Sequence, residues 1–290
     1  MTAYSRIIVG VNTLEQSKAA INWAVADADA RHIPIMLEYA IKPWAVPEPA
    51  LLAGAYSWPE LPVNTLFDIA EETLKHAEEY ARTLSAAVDV TTDAREGDVV
   101  SVLRAAAEPH DLIVIGTRDL GAVQSALFGS TGAGLAHASQ TPFVVVRGHR
   151  PSSTNAPIVV GVNPTAASEP VLAAAFEQAA AHQRPLRAMM CWEPFYYSPQ
   201  DRWRTGLDEV RAEAEVWLAE ALAGWQETYP DVAVERDLEF EYPAAALIEA
   251  SLTASLVVVG IGGSRISKML GSVAMNVLQH ADCPVEVVPR

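Results

Sequence analysis

Residues 112–116 read LIVIG, residues 117–128 follow as TRDLGAVQSALF, and Gly129-Ser130 then opens an apolar helical pattern. The phrase returns as LVVVG at 256–260, IGGSRISKML at 261–270 and Gly271-Ser272. In each copy a β-branched run ends in glycine, a loop comes next, and a second glycine stands at a helix start. A strand-end glycine lets the chain turn sharply. A Gly-Ser helix opening leaves backbone N–H groups and the positive end of the helix dipole free for an anion. Gly and Ser are also ordinary helix caps, so one copy alone supports either reading. Two copies favour the anion.

The repeat extends outward from this phrase. IIVGVN at 7–12 recurs as IVVGVN at 158–163, an offset of 151 that holds from Pro34/Pro185 to Pro43/Pro194. The offset is 144 at the LIVIG run and 142 from Gly129/Gly271 to Pro142/Pro284. The second half therefore has a shorter loop after its second strand, and its glycine loop lacks two residues.

In order, 6–12 is an apolar run suited to a strand buried on both faces, and Thr13 with Gln16 makes a capping box for the next helix. A second strand is expected at 35–41, parallel to the first because a helix intervenes. Residues 43–62, with five prolines among Trp44, Tyr56 and Trp58, form a long loop; PFYYSPQDRW at 194–203 is its counterpart. These loops are either lids beside a ligand or covers for the core edge. A helix over 66–87 places Ile69, Leu74, Ala77, Ala81 and Leu84 on one face. Further elements fall at 88–94 (strand), 99–107 (helix), 112–115 (strand), from Ser130 (helix) and 143–146 (strand). The turn-rich segment 148–156 reads as a linker.

The expected architecture is α/β: two tandem open-sheet domains, 1–147 and 157–290, each a doubly wound five-stranded parallel sheet with helices on both faces. The apolar final strands, 143–146 and 285–288, need a neighbour, which suggests a pseudo-twofold pairing of the halves. Ligands in such sheets bind at the carboxyl ends of the strands, here Asn12/Asn163 and Gly116/Gly260.

The formal charge is −16, with 11 basic and 18 acidic residues in 1–150 and 9 and 18 in 151–290. Neither half has a basic stripe, which argues against nucleic acid or an anionic membrane as partner. No run approaches a membrane span, and the N-terminus lacks a signal-peptide pattern, so a soluble, cytoplasmic protein is expected. Cys191 and Cys283 read as small core residues, and the seven histidines show no metal-ligand spacing. No Walker A motif, no GxGxxG after the first strand and no GxSxG elbow occurs. Asp119 is the sole carboxylate of the two glycine loops, either a solvated loop residue or an acid/base group.

With both halves laid out, the chain resembles a tandem universal stress protein over essentially its whole length. The resemblance rests on IIVGVN and IVVGVN, LIVIG and LVVVG, the Gly-Ser openings, and the ends HASQTPFVVVR and HADCPVEVVPR. It implies stress-response signalling rather than efficient catalysis, pairing of two domains through their last strands, a homodimer, and ATP as ligand. The degenerate alternative is a scaffold or interaction protein of the same fold. Family members that bind ATP are similar in a Gly-xx-Gly-x9-Gly-Ser/Thr loop and an Asp after the first strand. The resemblance implies contacts from Val11, Asn12, Gly116, Arg118, Gly121, Gly129, Ser130 and Thr131, and from Asn163, Gly260, Gly263, Arg265, Lys268, Gly271, Ser272 and Val273.

The sequence departs from that pattern. Asp119 stands at the family's second glycine, and only seven residues separate Gly263 from Gly271. Asn12 and Asn163 replace the Asp, which removes the charge that would support Mg²⁺. Arg265 and Lys268 favour phosphate in the second loop, whereas Arg118 and Asp119 cancel in the first. The full-length first loop is nevertheless expected to aim its amides better. Gly132 and Gly134 in the helix after it point the same way, or else reflect a frayed first turn or tight helix packing.

Overall fold

The computed structural model describes residues 4–42, 63–117, 130–147, 153, 155–163, 168–191, 207–261 and 271–289. By contacts the chain divides into Tyr4–Gly116 and a second unit that includes Thr117–Arg290.

In the first unit β1 (Arg6–Val11), β2 (Ile35–Ile41), β3 (Val90–Glu96) and β4 (Asp111–Gly116) alternate with α1 (Leu14–Arg31), α2 (Val63–Leu84) and α3 (Val99–Ala106). The strands pair in parallel in the order β3-β2-β1-β4. Ile7, Ile8 and Val9 of β1 and Leu112, Ile113 and Val114 of β4 are fully buried, as a central parallel strand requires. Thr13 caps α1, and His32 closes it in the left-handed region (φ 56°) with its N–H returned to Ala28 and Asp29 carbonyls. Inside, Asp27 and Arg31 form a buried pair one turn apart, with the guanidinium 5.2 Å from the Tyr4 ring centre. Gly97 (φ 152°) turns the chain from β3 to α3, whose cap Asp98 accepts from Val100 N–H at 3.0 Å.

Two expectations need correction here. The buried stripe of α2 is Ala70, Leu74, Ala77 and Ala81, while Ile69 and Leu84 are 44% and 43% exposed. Leu74, Ala77 and Ala81 are buried as expected, Ala70 takes the place given to Ile69, and Leu84 is the last residue of a helix that spans Val63–Leu84 rather than 66–87. The third strand starts two residues later than expected and runs to Glu96, because all seven β2 residues take partners, Ile35 with Val90 through Ile41 with Glu96.

The second unit holds α4 (Ser130–Ala138), β5 (Phe143–Val146), β6 (Ile158–Gly161), α5 (Glu169–Ala181), β7 (Leu186–Cys191), α6 (Leu207–Thr228), β8 (Val234–Glu239), α7 (Pro243–Ser251), β9 (Leu256–Gly260), α8 (Ser272–His280) and β10 (Val285–Val288). Its order is β5-β10-β9-β6-β7-β8. Within it, β8-β7-β6-β9 repeats the order β3-β2-β1-β4. All pairs are parallel except β10 with β5, which run antiparallel, Val285 opposite Val145 and Val287 opposite Phe143. Every residue of β5 and β10 is buried, so the two apolar final strands supply each other's missing neighbour.

Helices lie on both faces. A Cβ on Gly10 would meet Leu103 of α3 and Ile115 of β4, each at 3.3 Å. The next β4 residue, Gly116, faces Ala20 of α1. Successive strand residues point to opposite faces, so α1 and α3 sandwich the sheet.

Candidate functional site

Asn12, the first residue beyond β1, is exposed but held on all sides. Its Oδ1 accepts from Thr13 N–H (2.7 Å) and Ser17 Oγ (3.1 Å), and its Nδ2 donates to Gln16 Oε1 (2.5 Å). Its own N–H donates to Ser17 Oγ at 3.2 Å. Thr13 Oγ1 accepts from Gln16 N–H at 3.3 Å, so half of the expected capping box forms. The return bond is replaced: Asn12, not Gln16, takes the Thr13 N–H. Both lone pairs of Oδ1 are thereby used, and one Nδ2–H is left to offer. Asn12 can serve an anion or a ligand carbonyl.

A divalent cation asks for oxygen ligands. Asn12 has none to spare, and among the described residues no three His, Cys, Asp or Glu side chains converge on a metal position. Asn12 in this arrangement therefore offers a cation no oxygen.

In the second unit Asn163 N–H donates to Ser168 Oγ (3.0 Å), which donates to Asn163 O (2.5 Å). Ser17 and Ser168 stand at the same offset of 151 as the two asparagines. Sequence reading missed this pair, although Asn with Ser five residues later in both halves was the signal. Past the asparagine α1 begins at Leu14, two residues after Asn12, while residues 164–167 of the second half lie outside the described residues and α5 spans Glu169–Ala181. The first entry is locked through side chains; among the described residues the second is held through the Asn163 main chain.

The strand-end glycines have another reason than the expected turn. Neither Gly116 nor Gly260 has a positive φ. A Cβ on Gly116 would lie 3.2 Å from the Gln16 carbonyl oxygen and 3.6 Å from Ala20 Cβ; one on Gly260 would lie 2.7 Å from Val171 Cγ2. Ala20 and Val171 are equivalent at offset 151. Both glycines admit the helix that comes after the first strand of the repeat. Beyond them, Thr117 N–H donates to Val146 O and Ile261 N–H to Val288 O, each at 3.1 Å, so these amides are committed to the last strands.

The helix openings are where they were expected. Ser130 begins α4, Thr131 is half-buried and Gly132 is buried. Gly271 caps α8 (φ −59°, ψ 146°) with no side-chain cap, its carbonyl taking the Met275 N–H at 3.1 Å. The N–H groups of Ser272, Val273 and Ala274 thus lack intrahelical partners, and the dipole adds a positive end. Val11 is 5% exposed, so only its main chain can reach a ligand. Arg118, Asp119, Gly121, Gly129, Gly263, Arg265 and Lys268 lie outside the described residues, as do the loops 43–62 and 194–203.

Burial pushes the thiols of Cys191 and Cys283 up to about 12, which leaves both as packing groups rather than nucleophiles at neutral pH. No helix among the described residues is long and apolar enough to cross a membrane.

Known proteins agree with this architecture. The universal stress protein family model matches twice, over residues 3–147 and 154–289. A universal stress protein of Mycolicibacterium smegmatis is 35% identical over 299 residues, covering 98% of this chain and 97% of its own. One from Mycobacterium tuberculosis is 32% identical over 292 residues, covering 97% and 95%. Among solved structures, a universal stress protein from Archaeoglobus fulgidus superposes with a TM-score of 0.71 at 17% identity, covering 99% of this chain and 97% of its own; this likeness bears on the fold. The two family matches and the end-to-end relatives establish that the chain belongs to the universal stress protein family, as a tandem member with two domains.

Proposed function

We propose that the protein is an adenine-nucleotide-binding regulator of a stress response, cytoplasmic and homodimeric, with ATP as its ligand and no efficient catalysis. The repeating units are taken as 1–147 and 157–290 with 148–156 as linker. Phosphates are cradled by the loops that end at Gly129-Ser130-Thr131 and Gly271-Ser272-Val273, with Arg118, Gly121, Gly263, Arg265 and Lys268 beside them.

The observation that carries the reading is Asn12, fixed at the carboxyl end of β1 by three side-chain hydrogen bonds with one amide N–H left over. The open first turn of α8 supports it in the second half. The second repeat has Pro164 and Ala167 where the first has Thr13 and Gln16, so it has neither that N–H nor that side-chain amide to hold its asparagine, and the first repeat is taken as the tighter site.

A scaffold without nucleotide is the second reading, favoured by Gly116 and Gly260, whose packing against α1 and α5 explains them with no ligand. Mass spectrometry of small molecules released from protein purified without added nucleotide, and then calorimetric titration of ATP, separates the two. Recovered ATP, or saturable binding unaffected by EDTA, supports the proposal. An empty protein that ignores millimolar ATP leaves the scaffold, and AMP or ADP recovered with turnover makes it an enzyme.

A further inference from the structure

Five charged side chains crowd the α3 side of the β3-β2-β1-β4 sheet. Arg6 Nη2 meets Asp111 Oδ2 at 2.6 Å and also donates to the Ala106 carbonyl. Arg95 meets Asp93 through both Nε and Nη2 at 2.7 Å. The fifth is Glu38 of β2, 1% exposed, with neither carboxylate oxygen accepting a hydrogen bond. Its nearest cation among the described residues, Arg95 Nε, is 3.6 Å away and already held by Asp93. Two cations face three carboxylates, and Glu38 is the one left over.

Among the described residues its surroundings offer no other partner. Glu38 lies between Gly10, which has no side chain, and Asp93 in register. From α3 come the buried Val102 and Leu103, while Arg104 is exposed. Glu108, beyond α3, adds further negative charge beside Arg6. Lys42 pairs with Asp98 at the strand exit. On the opposite face, Arg31 Nε of α1 pairs with Asp27, and α2 packs against α1.

We propose that Glu38 is a proton-operated switch of the Tyr4–Gly116 unit: it holds a proton in the closed sheet, and its ionisation draws Arg95 from Asp93 and loosens edge strand β3. Burial pushes its carboxyl up to about 7; Asp93 reinforces the shift, and Arg95 and Arg6 oppose it. A raised folded-state value means that the folded chain binds the proton more tightly. The stabilisation is therefore complete below the ordinary carboxyl range, falls as pH rises, and is gone above about 7. The second repeat places Met189, 2% exposed, at the equivalent position, so the switch belongs to one repeat.

The test uses the full chain. Carboxyl carbon NMR tracks Glu38, assigned by its disappearance in Glu38→Gln, and urea unfolding is measured from pH 5 to 8 for wild type, Glu38→Gln and Asp93→Asn. The Glu38 signal should titrate with a midpoint near 7. The unfolding constant of wild type relative to Glu38→Gln should rise by up to about tenfold per pH unit to neutrality and then level off. Asp93→Asn, which releases Arg95, should lower the midpoint. An ordinary carboxyl midpoint, a Glu38→Gln protein with the wild-type pH slope, or an Asp93→Asn midpoint that rises would each overturn the proposal.

Discussion

Replacing Gly260 by alanine separates a packing glycine from a ligand-approach glycine. The added Cβ would sit 2.7 Å from Val171 Cγ2, well inside van der Waals contact, and Val171 is a stiff, β-branched residue only 4% exposed on α5. Overpacking of this kind costs about 1–3 kcal/mol. Loss of glycine's unfolded-state freedom returns about 0.4–1 kcal/mol, so a net loss of about 1–2 kcal/mol is expected. For a unit of this size that is roughly 2–8 °C in Tm. Val171→Ala opens the space that the new methyl needs. Gly260→Ala/Val171→Ala should therefore be more stable than the sum of the single variants by about 1 kcal/mol. Differential scanning calorimetry of the four proteins measures the coupling, and ATP titration of Gly260→Ala should give wild-type affinity. A Gly260→Ala protein that keeps its Tm but loses ATP, or a cycle with no coupling, would refute the packing account.

The same geometry sets three further outcomes. Ser17→Ala removes a hydroxyl that bonds both the main chain and the side chain of Asn12, and should cost about 1–2 kcal/mol in urea unfolding and weaken ATP binding; Ser168→Ala should cost about as much stability with less effect on affinity. Gly129→Val should block ATP in calorimetry more than Gly271→Val does, while Asp119→Gly should tighten it several-fold; the reverse order for the two valine variants would move the main site to the second repeat. Both thiols, held up to about 12, should stay unlabelled by a thiol-disulfide reagent at pH 8 until the chain is unfolded, and rapid native labelling of Cys283 would contradict its burial.

The repeat and its strands were legible because buried parallel strands announce themselves as β-branched runs. Residues 143–146 and 285–288 were placed to the residue for that reason. The third strand was misplaced because it is an edge, where TTDARE carries polar residues that read as loop. The helix openings were legible, whereas the use of the strand-end glycines was not. Periodicity cannot tell a glycine needed for a turn from one needed for a helix, and only the distances to Gln16 and Val171 decide. The Asn12 lock depends on Ser17 folding back across one helical turn, which sequence spacing hints at only when both repeats are aligned. Glu38 was invisible because EYA inside an apolar strand looks like ordinary alternation, and its isolation comes from which arginine pairs with which aspartate.

The antiparallel seam between β5 and β10 carries a consequence for synthesis. Val146 leaves the ribosome 142 residues before Val288, its partner strand's last residue. At about 5–20 residues per second, the FVVV segment waits roughly 7–30 s without the strand that covers it. During that interval each nascent chain displays a short apolar edge of the kind that neighbouring chains on one message can capture. Slow codons between the repeats lengthen the exposure, and a chaperone that masks four apolar residues shortens the hazard. The yield of soluble protein should thus depend on translation speed through the second repeat more than on the stability of the finished fold.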